Sequence, residues 1–569
     1  MMRLNTFLAI ACAIILQKDI MAQNSPKIVV GIVIDQMRQE YLYRYKDKWS
    51  SNGGFMKLIN QGTMFVNAHY TYFPTYTAPG HASIYTGTTP FNHGIVANEW
   101  FDPVHKKDVY CVWDENEFSV GCFNEAGKMS PRNLKVTTIT DELKLVSAGR
   151  SKVFGVSLKD RGAILPAGHM ADAAYWLDGA SGNFITSTYY MKKLPGWVEK
   201  FNAEKKAIKY LDREWQTLLP IEQYTESYKD SSGYEQPLDG KKAYFPYDLK
   251  SLSLNSGPMI IRYTPWGNTL LFDFAKALIE NEALGTGKWT DFLCISFSTP
   301  DYIGHAYGPR SVEIEDMYLR LDKELGDFLN YLEKKYGKDN VLVFLTADHG
   351  GAENTGFNEE FRLPGKSLNF TSLKDSLNKF LMIKASGFNS AAMHPFRAGE
   401  LHLHANKLPV LPPVENISNM QIYLANEWRP YRDWIKTQLN VFIAGNPEIK
   451  AIYDKEELKY LVKDRTINAV NMLANGLHPH LSGDFFILQD PGSMEYGKKG
   501  TTHGSVYRYD THVPLIFWGK NIPQGLKVSE FVAISDIAPT LSLILQTAMP
   551  SGSTGIPIQI LFSTKNNAR

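Results

Sequence analysis

Six residues in this chain carry metal-ligating side chains at the ends of apolar runs or in glycine-rich turns. They are Asp35 in IVIDQM, Asp301 and His305 in SFSTPDYIGHAYG, Asp348 and His349 in FLTADHGG, and His503 in GTTHGS. Imidazole and carboxylate without thiolate suits Zn²⁺, and three protein ligands per ion leave a coordination position open for chemistry. Three Asp and three His make two such sets, and two ions can clamp the attacking and leaving oxygens of an in-line phosphoryl displacement. Thr77, in TYTAPGHASIYTG, precedes a Pro-Gly break and a short helical run. Threonine there has two readings: a cap for the free N–H groups of the first turn, or a nucleophile at the positive helix end, activated by a neighbouring metal.

The elements that must position these groups are apolar, β-rich runs: Ile28–Ile34, Val153–Leu158, Phe292–Phe297, Val341–Leu345 and Val513–Trp518. Apolar runs without alternation suit strands buried on both faces, so the fold expected is α/β, a mostly parallel central sheet flanked by helices. One Asp at a strand end is usually a turn or cap residue. Three on separate strands converge on the carboxyl edge, where open α/β sheets bind ligands. A helical turn places His305 on the face of Asp301, four residues before it.

TYTAPGH with NEW at Asn98–Trp100, SLKDRGAILPAGH at Ser157–His169, TPDYIGHAYG, TADHGG and the late THG together resemble the alkaline phosphatase superfamily. Within it they are most similar to the PafA-type, phosphate-irrepressible bacterial monoesterases with a threonine nucleophile. The likeness runs from about Ile28 to about Trp518, with the motifs in the family's order. It implies that Thr77 attacks phosphorus and that Asp35, Asp348 and His349, with Thr77, hold one zinc ion. Asp301, His305 and His503 would hold the other, and Asn98, Lys159 and Arg161 would bind the phosphoryl oxygens. The activity implied is hydrolysis of small-molecule phosphate monoesters through a phosphothreonyl intermediate. The alternative is a phosphodiesterase or nucleotide pyrophosphatase of the same superfamily. A sulfatase would place Cys or Ser in a C/S-x-P-x-R setting, which Thr77-Ala-Pro-Gly lacks.

The rest of the chain sets the context. A length of 569 residues, 44% hydrophobic and 21% charged, is that of a large globular protein, and a net charge of +1 gives no reason to expect nucleic acid as a partner. The apolar run Phe7–Leu16, ahead of Met21-Ala22, is too short to span a bilayer and reads as a signal peptide over residues 1–22. Export to the periplasm or medium follows, with residues 23–569 as the catalytic domain and no membrane span. An oxidising compartment would permit Cys111 and Cys122 to pair, while spacing alone does not establish the bond. Cys294, inside an apolar run, reads as an inert core thiol. Segments at about 179–259 and 355–480 read as insertions, the second with an amphipathic helix pattern over Asp454–Ala474. His402-x-His404 and His478-Pro-His480 read as solvent-facing pairs, and His81 and His169 as structural. A monomer is the default, with the oligomeric state open.

Overall fold

The computed structural model describes residues 25–562 except 239, 393–407 and 462, with the side chains of 389–392 also outside it. The segment read as a signal peptide and the His402/His404 pair therefore lie outside the described residues. Ten strands form the main sheet in the order Leu526–Val528, Gly62–Phe65, Leu515–Gly519, Val341–Thr346, Ile28–Ile34, Asp291–Phe297, Val153–Ser157, Ala173–Leu177, Phe184–Ser187 and Ser119–Val120. The five from Val341–Thr346 to Ala173–Leu177 are mutually parallel. Every residue of Ile28–Ile34, Asp291–Phe297 and Val341–Thr346 is buried, as expected of strands covered by helices on both faces.

Register levels the strand ends. Ile34 pairs with Phe297 and Val33 with Thr346, so Asp35, Asp301 and Asp348 all emerge just past one edge. Ser157 pairs with Ser296, which brings Lys159 to the same edge. The last long strand, expected at Val513–Trp518 within the mostly parallel sheet, spans Leu515–Gly519 and runs antiparallel to Val341–Thr346, with Leu515 opposite Thr346. A strand entering antiparallel begins where its neighbour ends, so the stretch before it, with His503, reaches the carboxyl edge. Main-chain bonds from Gly350 to Asp510, Gly351 to Tyr509 and Ala352 to Thr502 tie the two loops together.

The helix Thr77–Thr86 is buried along its whole length and packs on the sheet through two glycines. A Cβ on Gly31 would meet the Tyr85 hydroxyl at 2.4 Å, and one on Gly80 would meet the Asp348 carbonyl at 2.3 Å. Glycine at both positions lets the helix settle directly over the strand ends.

The two additional segments differ in how they are held. Residues 179–259 fold as short helices, Gly196–Ala203, Lys206–Leu211 and Leu249–Ser256, with a Glu214–Trp215/Tyr247–Asp248 ladder. Their Val198, Phe201, Leu211, Trp215 and Leu249 join the main core. The later segment builds its own antiparallel sheet, Val414–Ser418, Gln421–Leu424, Phe485–Gln489 and Ile449–Asp454. Leu381, Ile422, Trp428, Leu473 and Phe486 form a separate core there. The expected helix over Asp454–Ala474 is broken into Lys455–Lys459 and Ala469–Gly476. Asp454 caps the first and Asn468 the second, each accepting a backbone N–H of the following turn. Cys111, Cys122 and Cys294 are free thiols, so Cys111 and Cys122 do not pair. Cys111 is buried, and Cys122 turns toward the side chain of Asn124.

Candidate active site

Asp35, Asp301, Asp348, His349 and His503 are buried, and His305 is half-buried at the rim. The ligand atoms of Asp301, His305 and His503 lie within 4.8 Å of one another, as do those of Asp35, Asp301 and His349. Asp301 thus stands between the two donor sets. His305 Nε2 is 3.1 Å and His503 Nε2 3.7 Å from Asp301 Oδ1. His349 Nε2 is 3.3 Å from Asp35 Oδ1 and 3.5 Å from Asp348 Oδ2. Asp348 joins the group through His349, whereas Asp301 completes the tighter second set.

The three histidines are oriented alike. Nδ1 of His305 bonds the Thr501 carbonyl at 2.7 Å, that of His349 the Gly350 carbonyl at 2.8 Å, and that of His503 the Thr75 carbonyl at 2.8 Å. With Nδ1–H donating outward, each Nε2 lone pair faces the carboxylates, the arrangement that fixes a ligating tautomer. His349 and His503 stack with centroids 3.4 Å apart. Burial pushes His349 down to about 3, and burial with the neighbouring His349 holds His503 well below the ordinary imidazole range. Both are neutral, as metal ligation requires. At His305 burial also pulls downward, but Asp301 outweighs it and raises the group.

The donor chemistry fits divalent metal ions. Asp35 Oδ1 and Asp348 Oδ2 are buried without hydrogen-bond partners, and a buried carboxylate oxygen is costly to leave unpaired. Burial raises both acids, more strongly Asp348, with each other's charge or that of Asp301 adding to the effect. Burial pushes Asp301 up too, but His305 and Lys159 hold it well below the usual carboxylate range.

Thr77 opens the helix rather than capping it. The N-cap position is Tyr76, which makes no side-chain cap bond, and Thr77 Oγ1 lies 3.4 Å from His349 Nε2. The free Ala78 N–H is met by Asn98 Oδ1 at 2.8 Å. The hydroxyl is turned into the donor cluster, so capping does not account for it.

Lys159 and Arg161 start the next helix, Asp160–Ala167, with Lys159 at its N-cap. Lys159 Nζ bridges Asp35 Oδ2, at 2.6 Å, and Asp301 Oδ2, and lies 5.1 Å from the Tyr302 ring centre. Burial would lower this amine, but Asp301 and Asp35 outweigh it and keep it charged. Arg161 Nη1 bonds the Tyr110 hydroxyl at 3.0 Å, and its Nε is buried without a partner. Tyr110 in turn donates to Asp160 at 2.5 Å. Asn98 directly precedes and Tyr110 ends one β-hairpin, Glu99–Asp102 with Lys107–Tyr110, which brings an amide to the Thr77 helix and a phenol to Arg161.

Residues 29–512 match the type I phosphodiesterase / nucleotide pyrophosphatase family. Alkaline phosphatase PhoV of Synechococcus elongatus is 42% identical over 532 residues, 93% of this chain and 92% of that protein. Alkaline phosphatase PafA of Elizabethkingia meningoseptica is 41% identical over 541 residues, 94% of each. A crystal structure of wild-type PafA superposes with a TM-score of 0.85 at 40% identity, covering 94% of this chain and 98% of that one. The chain belongs to that family, among its PafA-type alkaline phosphatases. Like them it is an enzyme that hydrolyses phosphate monoesters.

Of the other histidines noted in the sequence, His81 and His169 make structural hydrogen bonds. His81 bonds the Thr77 carbonyl through Nδ1 and the Ser296 hydroxyl through Nε2, both at 2.8 Å, and Nδ1 is 3.4 Å from Asp348. It therefore backs the Thr77 helix and one carboxylate. His169 ties Asp141 to the Leu134 carbonyl. His478 and His480 lie beside each other in a turn, His480 exposed. Two residues that touch the site escaped the sequence reading. Gln36 donates to Asp301 and Asp348, and Tyr110 orients Arg161. Gln36 adjoins Asp35, but its left-handed backbone has no signature in sequence. Tyr110 reaches Arg161 only through the fold of a hairpin.

Proposed function

We propose that this alkaline phosphatase uses Thr77 as its nucleophile and two zinc ions, one held by Asp35, Asp348 and His349, the other by Asp301, His305 and His503. The observation that carries the reading is the shared orientation of the three imidazoles, each Nε2 facing buried carboxylates, with the Thr77 hydroxyl beside His349. Ions so held supply Lewis acidity to the attacking hydroxyl and to the leaving oxygen.

Thr77 Oγ1 gives up its proton and forms a bond to phosphorus as the bond to the alcohol oxygen breaks, giving a phosphothreonyl ester and the alcohol, which takes up a proton from solvent. Water then attacks that ester and releases inorganic phosphate and the free hydroxyl. Each displacement inverts phosphorus, so the net outcome is retention. Asn98, held by Ala78 N–H, presents its amide toward the phosphoryl group, and Lys159 and Arg161 supply fixed positive charge for its non-bridging oxygens. Export through residues 1–22 belongs to the same reading, and the N-terminus of the mature protein tests it.

The family's name keeps a diesterase in view, and Lys159 with Arg161 separates the two. A monoester dianion presents three charged oxygens where a diester has one esterified. Each charge-assisted contact is worth about 1.5–3 kcal/mol, roughly one to two decades of rate when made in the transition state. The Lys159→Ala/Arg161→Ala double variant is expected to lose several decades of kcat/KM on an aryl phosphate monoester and far less on the matching diester. Metal content is measured alongside, because Lys159 also touches Asp35 and Asp301. Equal losses at unchanged metal content would favour the diesterase.

A further inference from the structure

Gln36 is buried, 4% exposed, and holds a left-handed backbone with φ of 64°. A non-glycine residue persists there only where its surroundings enforce it, and such outliers gather at functional sites. Its side-chain Nε2 donates to Asp301 Oδ1 at 2.7 Å, and its main-chain N–H donates to Asp348 Oδ1 at 3.2 Å. One residue thus touches a carboxylate on each side of the donor cluster, directly after Asp35.

Two glycines make room for it. A Cβ on Gly304 would fall 2.0 Å from Gln36 Oε1, and one on Gly351 would fall 3.1 Å from its Cγ. Gly304 sits in the helix Thr299–Tyr307 between Asp301 and His305, where glycine otherwise weakens a helix. Gly351 follows His349 by two residues. The carboxamide is therefore clamped between the two elements that carry the donors.

We propose that Gln36 is a positioning residue for the metal centre, its amide aiming Asp301 and its backbone aiming Asp348, so that the two ion sites keep a fixed mutual geometry. This rests on the reading of Asp301 and Asp348 as ligands. The Gln36 side-chain Nε2 and the imidazoles of His305 and His503 share one oxygen, Asp301 Oδ1, so the amide fixes which way that carboxylate turns. Supporting partners of this kind are worth about 10- to 100-fold in metal affinity or activity.

The test uses Gln36→Glu, which keeps the shape but loses the donor, Gln36→Met, which keeps the length, and Gly304→Ala, which pushes on the amide from the opposite side. Zinc retention is read by competition with a chromophoric chelator, Co²⁺ absorption reports the ligand geometry, and kcat, KM and the melting temperature are followed. The expected result is about a 10- to 100-fold loss of affinity at one of two zinc sites, an altered Co²⁺ spectrum, a fall in kcat at nearly constant KM, and partial rescue of kcat by excess zinc. Wild-type zinc affinity and Co²⁺ spectra in all three variants would overturn the proposal, leaving Gln36 a packing residue. A wild-type protein that binds no zinc would overturn the ligand reading as well, and is recognised before any variant is made. Should Gln36→Met fail to fold, Gly304→Ala and Gln36→Glu carry the decision.

Discussion

Two groups of buried carboxylates among the described residues are set up in different ways. Asp35, Asp301 and Asp348 meet at the sheet edge with Lys159 between two of them and three imidazole Nε2 atoms facing in. Glu235 and Glu313 are as deeply buried, 1% and 0% exposed, where the segment after residue 179 packs on the helix Val312–Tyr336. The Tyr247 hydroxyl donates to one oxygen of Glu313, and the other, Oε2, has no hydrogen-bond partner. Burial raises Glu313 to about 8 and Glu235 to about 10, with each acid's neighbours, Asp230 among them, adding repulsion. Burial alone therefore makes neutral acids. Burial raises Asp35 and Asp348 as well, and what sets the first group apart is His305 and Lys159, which hold Asp301 well below the usual carboxylate range, together with imidazoles oriented by carbonyls.

The largest effect expected of that difference is on metal removal. Prolonged chelation should abolish turnover, and two equivalents of Zn²⁺ per chain should restore it, with elemental analysis of active enzyme giving two ions about 4 Å apart in a metal-bound crystal structure. One tightly bound metal, or none, in active protein would dissolve the contrast between the two groups.

Next in size is the hydroxyl that faces only the first group. Thr77→Ala should lose nearly all activity, several decades in kcat/KM, because a phosphothreonyl ester can no longer form. Thr77→Ser should keep substantial activity, and mass spectrometry of acid-quenched enzyme should find phosphate on Thr77. Full turnover by Thr77→Ala would return Thr77 to a structural role.

Much of this centre was legible in the sequence because its residues follow directly on strands whose apolar runs are long and unbroken. Ile28–Ile34 appears in the structure with the expected bounds, and Asp35 is simply its next residue. The Asp301/His305 spacing needed only a helical turn, which Thr299–Tyr307 supplies. The short outer strands were not legible. Leu526–Val528 holds three residues, one of them Lys527, and Ser119–Val120 only two, too few for a periodicity to register. The reversed direction of Leu515–Gly519 was hidden too, since direction depends on where a distant segment re-enters the sheet. Gln36 and Tyr110 were missed for a related reason. Backbone handedness and hairpin closure place them, and neither leaves a mark on residue type.

The smallest effect concerns the second group, and it acts on stability rather than catalysis. Glu235 has an ordinary value of 4.5 and is raised to about 10 in the folded chain. Below pH 4.5 the folded and unfolded forms are both protonated, and the group contributes no pH dependence. Between 4.5 and 10 the unfolded chain releases the proton while the folded chain retains it, so stability falls as pH rises. Gln in place of Glu keeps the shape and cannot ionise, which removes the unfolded state's advantage. Glu235→Gln should therefore unfold at a higher temperature than the parent at pH 8–9, by a free energy on the order of 1 kcal/mol or more, with the gap shrinking toward pH 5. Turnover should be unchanged, since Glu235 touches none of the donor residues. The check is a set of thermal melts across this pH range for both proteins, zinc-loaded. Destabilisation of Glu235→Gln at every pH would mean that this carboxylate is ionised and paired in solution, so that the second group resembles the first after all.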